Sequence, residues 1–371
     1  MKALEEHWSN CLAKRRDQGN LRQLRPVGNR IDFYSNDYLG LSSNSDFPQM
    51  LLGIIGKNPR CLTGSTGSRL ISGNSQLARD TEGYIASLHQ VDAALLFSSG
   101  YSANIALFSC VVGRHDTILL DELVHRSVYD GCLISKAKRL KFRHNDTEHL
   151  EELLKKSKGK ILIAIESLYS MDGDFAPLNA IADLAQKYGA GLIVDEAHAL
   201  GTFGKGLVHS AQVQNKVLAT VVTYGKAMGV QGAAILGSFV LKEYLINFAS
   251  PFIYSTAMSD IQYESIQAAY QYVDKHTELA IVLQERIRYF RAHQLSKISQ
   301  DDSPIQAIQF TSTDQLRKAV QELAKTNMQT YAVFSPTVKQ GDERLRICLH
   351  LFNSNQEIDR LCSIISNYEY R

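Results

Sequence analysis

Short apolar runs alternate with amphipathic stretches through the middle of the chain. AALLF (93–97), TILLD (117–121), KILIAIES (160–167), GLIVDEA (191–197), VLATVVTYG (217–225) and AAILGSFVL (233–241) read as strands, apolar on both faces. Between them, LARDTEGYIASLHQ (77–90), ANIALFSCVV (103–112), RSVYDGCLIS (126–135) and LNAIADLAQKYG (178–189) carry apolar residues at helical spacing. That alternation predicts an α/β fold: a mostly parallel sheet covered by helices on both sides.

The flanks read differently. Residues 1–25 predict a polar helix, and residues 26–75 an irregular segment with a strand-like RIDFYS (30–35) and a glycine-rich loop, GSTGSRLISGN (64–74). A long helical segment is expected from Tyr263 to His293. Beyond it, AIQFTS, VFSPTV and RLRICLHL read as strands, and TDQLRKAVQELAKTN and SNQEIDRLCSIISNY as helices. The expected division is 1–44 (N-terminal helix and extended segment), 45–294 (large α/β domain) and 295–371 (small C-terminal α+β domain).

Composition narrows the function classes. Forty Lys and Arg against 38 Asp and Glu give a formal charge of +2, without the basic excess of a nucleic-acid binder. No apolar run of about 18 residues suggests a membrane span, and the charged N-terminus lacks a signal-peptide core. The cytoplasm is the expected compartment. The six cysteines form no CxxC and no zinc-site spacing, so reduced thiols and no metal are expected.

Four features fall at the C-terminal ends of predicted strands, where open α/β sheets gather ligands. Ser98, Ser99, Gly100 and Tyr101 lead from a strand into a helix, whose N-terminus favours an anion. His125 follows TILLD, Asp195 and His198 follow the strand at 191, and Thr223 and Lys226 follow the strand at 217. Taken singly, these are an ordinary turn, a structural histidine, a strand-end acid beside a possible metal pair, and a loop lysine. Their order matches what pyridoxal phosphate needs: a phosphate cradle, a ring stacker, a carboxylate for the pyridine nitrogen, and an amine for the aldehyde.

The sequence resembles the α-oxoamine synthases, a branch of the fold-type I pyridoxal-phosphate transferases. The resemblance is carried by FYSNDYLGLSSN (33–44), GSTGSRLISGN (64–74), LLFSSGYSAN (95–104), DELVHRSVYDG (121–131), ESLYSMDGDFAPL (166–178), VDEAHALGTFGKGL (194–207), TYGKAMGVQGAAILGS (223–238), IYSTAMSD (253–260) and RLRICL (344–349). It implies that Lys226 bonds to the cofactor, Asp195 pairs with the ring nitrogen, and His125 stacks on the ring. It also implies that Ser99, Gly100 and Tyr101 lie near the phosphate and ring edge. Glu166, Ser170, His198 and Thr223 are further implied contacts, with His198 near the ring hydroxyl, and Thr256 one from a neighbouring subunit. Asn36 and Arg346 are implied to hold the amino-acid carboxylate, with Arg344 expected to face away.

The same resemblance implies a homodimer and a decarboxylative condensation of an amino acid with an acyl thioester, on coenzyme A or a carrier protein. L-alanine and a pimeloyl thioester, as in biotin synthesis, are the leading pair. Glycine C-acetyltransferase, 5-aminolevulinate synthase and serine palmitoyltransferase chemistry are the alternatives within the family. An aminotransferase and a non-catalytic homologue are the alternatives outside it. After RLRICL the chain reads HLFNS rather than the segment ending in His-Thr common in the family, and the lysine motif is TYGK rather than a serine-containing one.

Overall fold

Seven strands assemble in the order β2-β8-β7-β6-β5-β3-β4 in the computed structural model, which describes residues 1–19, 21–24, 26, 28–335 and 338–369. In chain order the strands are β1 (Ile31–Asp32), β2 (Ala93–Phe97), β3 (Thr117–Asp121), β4 (Lys138–Phe142), β5 (Ile161–Glu166) and β6 (Gly191–Asp195). They continue with β7 (Ala219–Thr223), β8 (Ala233–Gly237), β9 (Ile305–Gln309), β10 (Met328–Gln329), β11 (Tyr331–Val333) and β12 (Arg344–Cys348). Only β8 runs against its neighbours in the large sheet. The C-terminal ends of β2, β3, β5, β6 and β7 therefore share one edge. β2, β3 and most of β5, β6 and β7 are buried, as strands covered on both faces should be. Leu119, Ile163, Leu192 and Val194 are each at most 1% exposed, and each contributes about 1.5–3 kcal/mol by leaving water.

A three-stranded antiparallel sheet, β11-β12-β9, packs beside it. One apolar cluster runs through both, joining Tyr38, Leu41, Val222 and Tyr224 to Ile305, Leu345 and Leu349. Arg344 and Arg346 of β12 reach across to Asp172 and to the Ser170 carbonyl in the loop after β5. The segment 33–38 lies along β12, with Cys348 N–H donating to the Phe33 carbonyl and Leu351 N–H to that of Tyr38.

Several local expectations are corrected. The segment 26–75 contains a helix, Asp46–Lys57, whose amphipathic DFPQMLLGIIGK buries Phe47. Only AAILG of AAILGSFVL is strand: Ser238 caps a helix, Phe239–Phe248, by accepting from Leu241 N–H. The long helical segment is two helices, Asp260–Lys275 and Glu278–Ala292, parted at His276 and Thr277. KRLKF forms β4, and Thr147–Lys156 a helix that the pattern did not suggest. The N-terminal helix covers Lys2–Asp17. Pro336 and Thr337 of the VFSPTV reading lie outside the described residues, whose strand here is β11. Among the described residues no helix is long and apolar enough to cross a membrane.

Candidate active site

The register of the sheet places the loops. Phe97 and Thr223 pair with the same residue, Ala233, from opposite sides. The turn after β2 therefore meets the end of β7: a Cβ on Gly100 would lie 2.4 Å from Thr223 Oγ1, so a side chain there would displace the Thr223 hydroxyl. Ser99 caps the helix Gly100–Cys110, accepting from Ser102 N–H while its carbonyl takes Ala103 N–H. The N–H groups of Gly100 and Tyr101 are left for a ligand at the positive end of that helix. Tyr101 bonds through its hydroxyl to Asp130. Thr256 lines a cleft with Ser98 and Ser102 in this same chain, joined to the glycine-rich loop through a bridge to Ser68.

Glu166 and Asp195 are direct partners at the ends of β5 and β6. The Asp195 carboxylate accepts from Asn104 Nδ2 at 2.7 Å and from Ala197 N–H at 2.9 Å. Asn104 Nδ2 also reaches Ser127 Oγ, which contacts His125 Nδ1 at 2.7 Å, so a polar chain ties the His125 ring to Asp195. Glu166 accepts the His125 N–H at 2.6 Å. Burial, then the neighbouring Asp195 charge, pushes the Glu166 carboxyl above its usual range. The loops behind are clamped by His144, bonded to Asp121 at 2.8 Å and Asp174 at 2.6 Å. Burial opposes charge on this imidazole, but the two carboxylates outweigh it and raise it to about 10.

Lys226 sits in a tight turn. Gly229 N–H donates to the Lys226 carbonyl, and Val230 N–H to that of Tyr224. Gly229 has φ +67°, and a Cβ there would lie 2.7 Å from Leu41 Cβ, so the turn packs directly on the NDYLGL segment. Burial lowers the Lys226 ammonium to about 8, aided by Arg346 and opposed by Asp195 and Glu166. Lys226 thus lies within electrostatic reach of both acids and of Arg346.

Arg346, 5% exposed, donates from Nη2 to Asn36 Oδ1 at 2.9 Å and from Nε to the Ser170 carbonyl at 2.6 Å. The Arg344 expectation is corrected: residues two apart on a strand share a face, and Arg344 pairs with Asp172 beside it. His198 Nδ1 meets the Tyr38 hydroxyl at 2.8 Å, and the same hydroxyl meets Asn36 Oδ1 at 3.1 Å.

The sequence reading missed Tyr38, Asn104 and Ser127. Asn104 had a signal, a lone amide in the otherwise apolar helical run ANIALF, and it is 2% exposed. Tyr38 is fully buried in the core.

The donor set fits pyridoxal phosphate. A hydrogen-bonded acid suits a pyridine nitrogen, and a lysine amine brought near neutrality suits an aldehyde. Two helix-terminal N–H groups beside a glycine packed against the Thr223 hydroxyl suit a phosphate.

The model for "Aminotransferase class I and II" matches residues 29–365. An 8-amino-7-oxononanoate synthase of Emericella nidulans is 34% identical over 399 residues, covering 100% of this chain and 97% of that protein. The crystal structure of an 8-amino-7-oxononanoate synthase from Francisella tularensis has a TM-score of 0.78 at 28% identity, covering 91% of this chain and 97% of that one. The serine palmitoyltransferase of Sphingomonas wittichii has a TM-score of 0.83 at 25% identity, covering 91% of this chain and 87% of that one. With the family model spanning most of its length and a relative one-third identical from end to end, the chain belongs to the class I and II aminotransferase family and, within it, to the α-oxoamine synthases.

Proposed function

We propose that the protein condenses L-alanine with a pimeloyl thioester, releasing CO2 and free thiol, to give 8-amino-7-oxononanoate in biotin synthesis. The observation that carries the chemistry is Lys226 in the turn after β7, with Asp195, Glu166 and Arg346 as the charges that act on its amine. The choice of alanine and a pimeloyl group rests on the end-to-end likeness to the Emericella nidulans enzyme.

Pyridoxal phosphate, held through Lys226, supplies a sink for the electron pair that develops at the amino-acid Cα. This chain's residues do the rest. Asp195, fixed by Asn104 and Ala197, holds negative charge against the ring nitrogen. His125, oriented through Ser127, would stack on the ring. Gly100 and Tyr101 N–H groups would hold the phosphate, with Ser99 and Thr223 beside them, and Ser170 would contribute from the loop that meets Arg346. Arg346 offers a planar fork to the substrate carboxylate, with Asn36 beside it. With cofactor and substrate bound, Lys226 Nζ would take the Cα proton and return one; an amine lowered to about 8 carries a usable neutral share near pH 7. A second copy of the chain is expected to complete the site. Leu70, Ile71 and Tyr254, which flank the Ser68–Thr256 bridge, are 52%, 85% and 82% exposed and suit such a contact.

A second reading, another acyl chain and amino acid on the same chemistry, is favoured by the likeness to serine palmitoyltransferase. A thiol-release screen separates the two. It crosses alanine, glycine and serine with acetyl, pimeloyl and palmitoyl groups, each on coenzyme A and on a carrier protein. We expect the highest kcat/KM for alanine with pimeloyl thioester, and a preference over glycine of about 10–200-fold, the range one methyl group commands. Best turnover of serine with the palmitoyl thioester would replace the first reading by the second.

A further inference from the structure

Three contacts fix where the protons lie between the Asn36–Arg346 pair and His198. Arg346 Nη2 can only donate, so the Asn36 atom 2.9 Å away is the amide oxygen. That oxygen is 3.1 Å from the Tyr38 hydroxyl. An amide oxygen has no proton to give, so the single phenol proton is used there. The hydroxyl also meets His198 Nδ1 at 2.8 Å, the Arg346 guanidinium, which can only donate to it, and the Cys348 thiol, whose bond runs to Asn36 Oδ1. With its proton spent, the phenol oxygen can only accept, and His198 Nδ1 must carry the hydrogen.

His198 has no second proton to place. Its ring is 5% exposed, and burial holds it well below the ordinary imidazole range, reinforced by the Lys226 and Arg346 charges. A neutral imidazole protonated at Nδ1 presents a bare lone pair at Nε2. Among the described residues nothing bonds to that Nε2. Tyr38 is itself fully buried, with its ring centroid 6.1 Å from that of His198, so the hydroxyl is held in place by packing.

We propose that Tyr38 is a positioning residue that sets His198 in the Nδ1–H tautomer, so that His198 meets a bound ligand as a hydrogen-bond acceptor. Tyr38 also joins the carboxylate-holding pair to the ring-holding histidine. Donation runs one way, from His198 to Tyr38 to Asn36, and leaves Asn36 Nδ2–H for a substrate carboxylate. Bonds aligned in one direction polarise each other, so a carboxylate drawing on Asn36 strengthens the hold on His198. The tautomer is argued from the heavy-atom contacts of Tyr38; its meaning for the cofactor's ring hydroxyl rests on the proposed function.

The test is nitrogen-15 NMR of the histidine rings in the cofactor-free protein, with His198 assigned by the signal lost in His198→Gln. The expected wild-type spectrum has His198 protonated at Nδ1 and bare at Nε2. Tyr38→Phe keeps the buried ring and removes the hydroxyl, so His198 should populate both tautomers. Asn36→Asp retains an oxygen acceptor for Tyr38 and should preserve the Nδ1–H signature. A wild-type His198 protonated at Nε2 would overturn the inference, as would a Tyr38→Phe spectrum identical to wild type. A parallel titration with pyridoxal phosphate separates the two readings: wild type that takes up no cofactor would sink the proposed function while the tautomer result stood.

Discussion

Lys226→Ala should abolish thiol and CO2 release, with turnover falling by about 10⁴-fold, the upper range for losing a positioned acid–base group. The lysine has two tasks that no neighbour can take over. It must form the covalent hold on the aldehyde, and it must move the proton at the substrate Cα. Two other groups of the site are bonded elsewhere, His125 Nδ1 to Ser127 and Glu166 to the His125 backbone N–H, and the free His198 Nε2 is assigned to the ring hydroxyl. Cofactor should still bind, because Asp195, His125 and the helix terminus at Gly100 are untouched. The check is single-turnover CO2 release alongside the visible spectrum: bound cofactor with no product is the expected pair. Undiminished product from the variant would remove Lys226 from the mechanism.

Asp195→Asn should lower turnover by about 10²–10³-fold, the scale of losing one preorganised electrostatic partner of a developing charge. The substitution is nearly isosteric, so packing at the end of β6 is kept. What changes is charge. An amide cannot hold a proton on the ring nitrogen, and if its nitrogen faces Asn104 Nδ2, two donors meet at the present 2.7 Å contact. A buried donor left without an acceptor costs about 1–3 kcal/mol, so a lower melting temperature should accompany the rate loss. Steady-state kinetics and a thermal melt read both. Wild-type turnover would show that the ring charge is set by another group.

How much of this was legible in the sequence follows from the physics of each element. The strands of the large sheet were legible because burial on both faces leaves unbroken apolar runs such as ILIAIE. β4 was not: KRLKF is an edge strand with exposed charged residues, and its partner β3 supplies the hydrogen bonds that its own pattern does not advertise. The helix Asp46–Lys57 was masked by its two glycines and a proline, which read as loop punctuation. In the site, Lys226, Asp195 and His125 stood out because each is polar at the end of an apolar strand. The Tyr38–Asn36–Arg346 contacts join residues some 310 positions apart, and no local pattern can announce such a pairing. The mistaken expectation for Arg344 came from strand alternation: positions 344, 346 and 348 share a face, and the loop 170–172 takes both arginines.

The covalent role of Lys226 is the claim on which the proposed chemistry turns, and one measurement addresses it directly. The protein is loaded with pyridoxal phosphate, reduced with borohydride, digested, and mapped by mass spectrometry. A single phosphopyridoxyl group on Lys226, in stoichiometric yield, is the expected result; a modified lysine elsewhere in the chain, or no adduct at all, would contradict it.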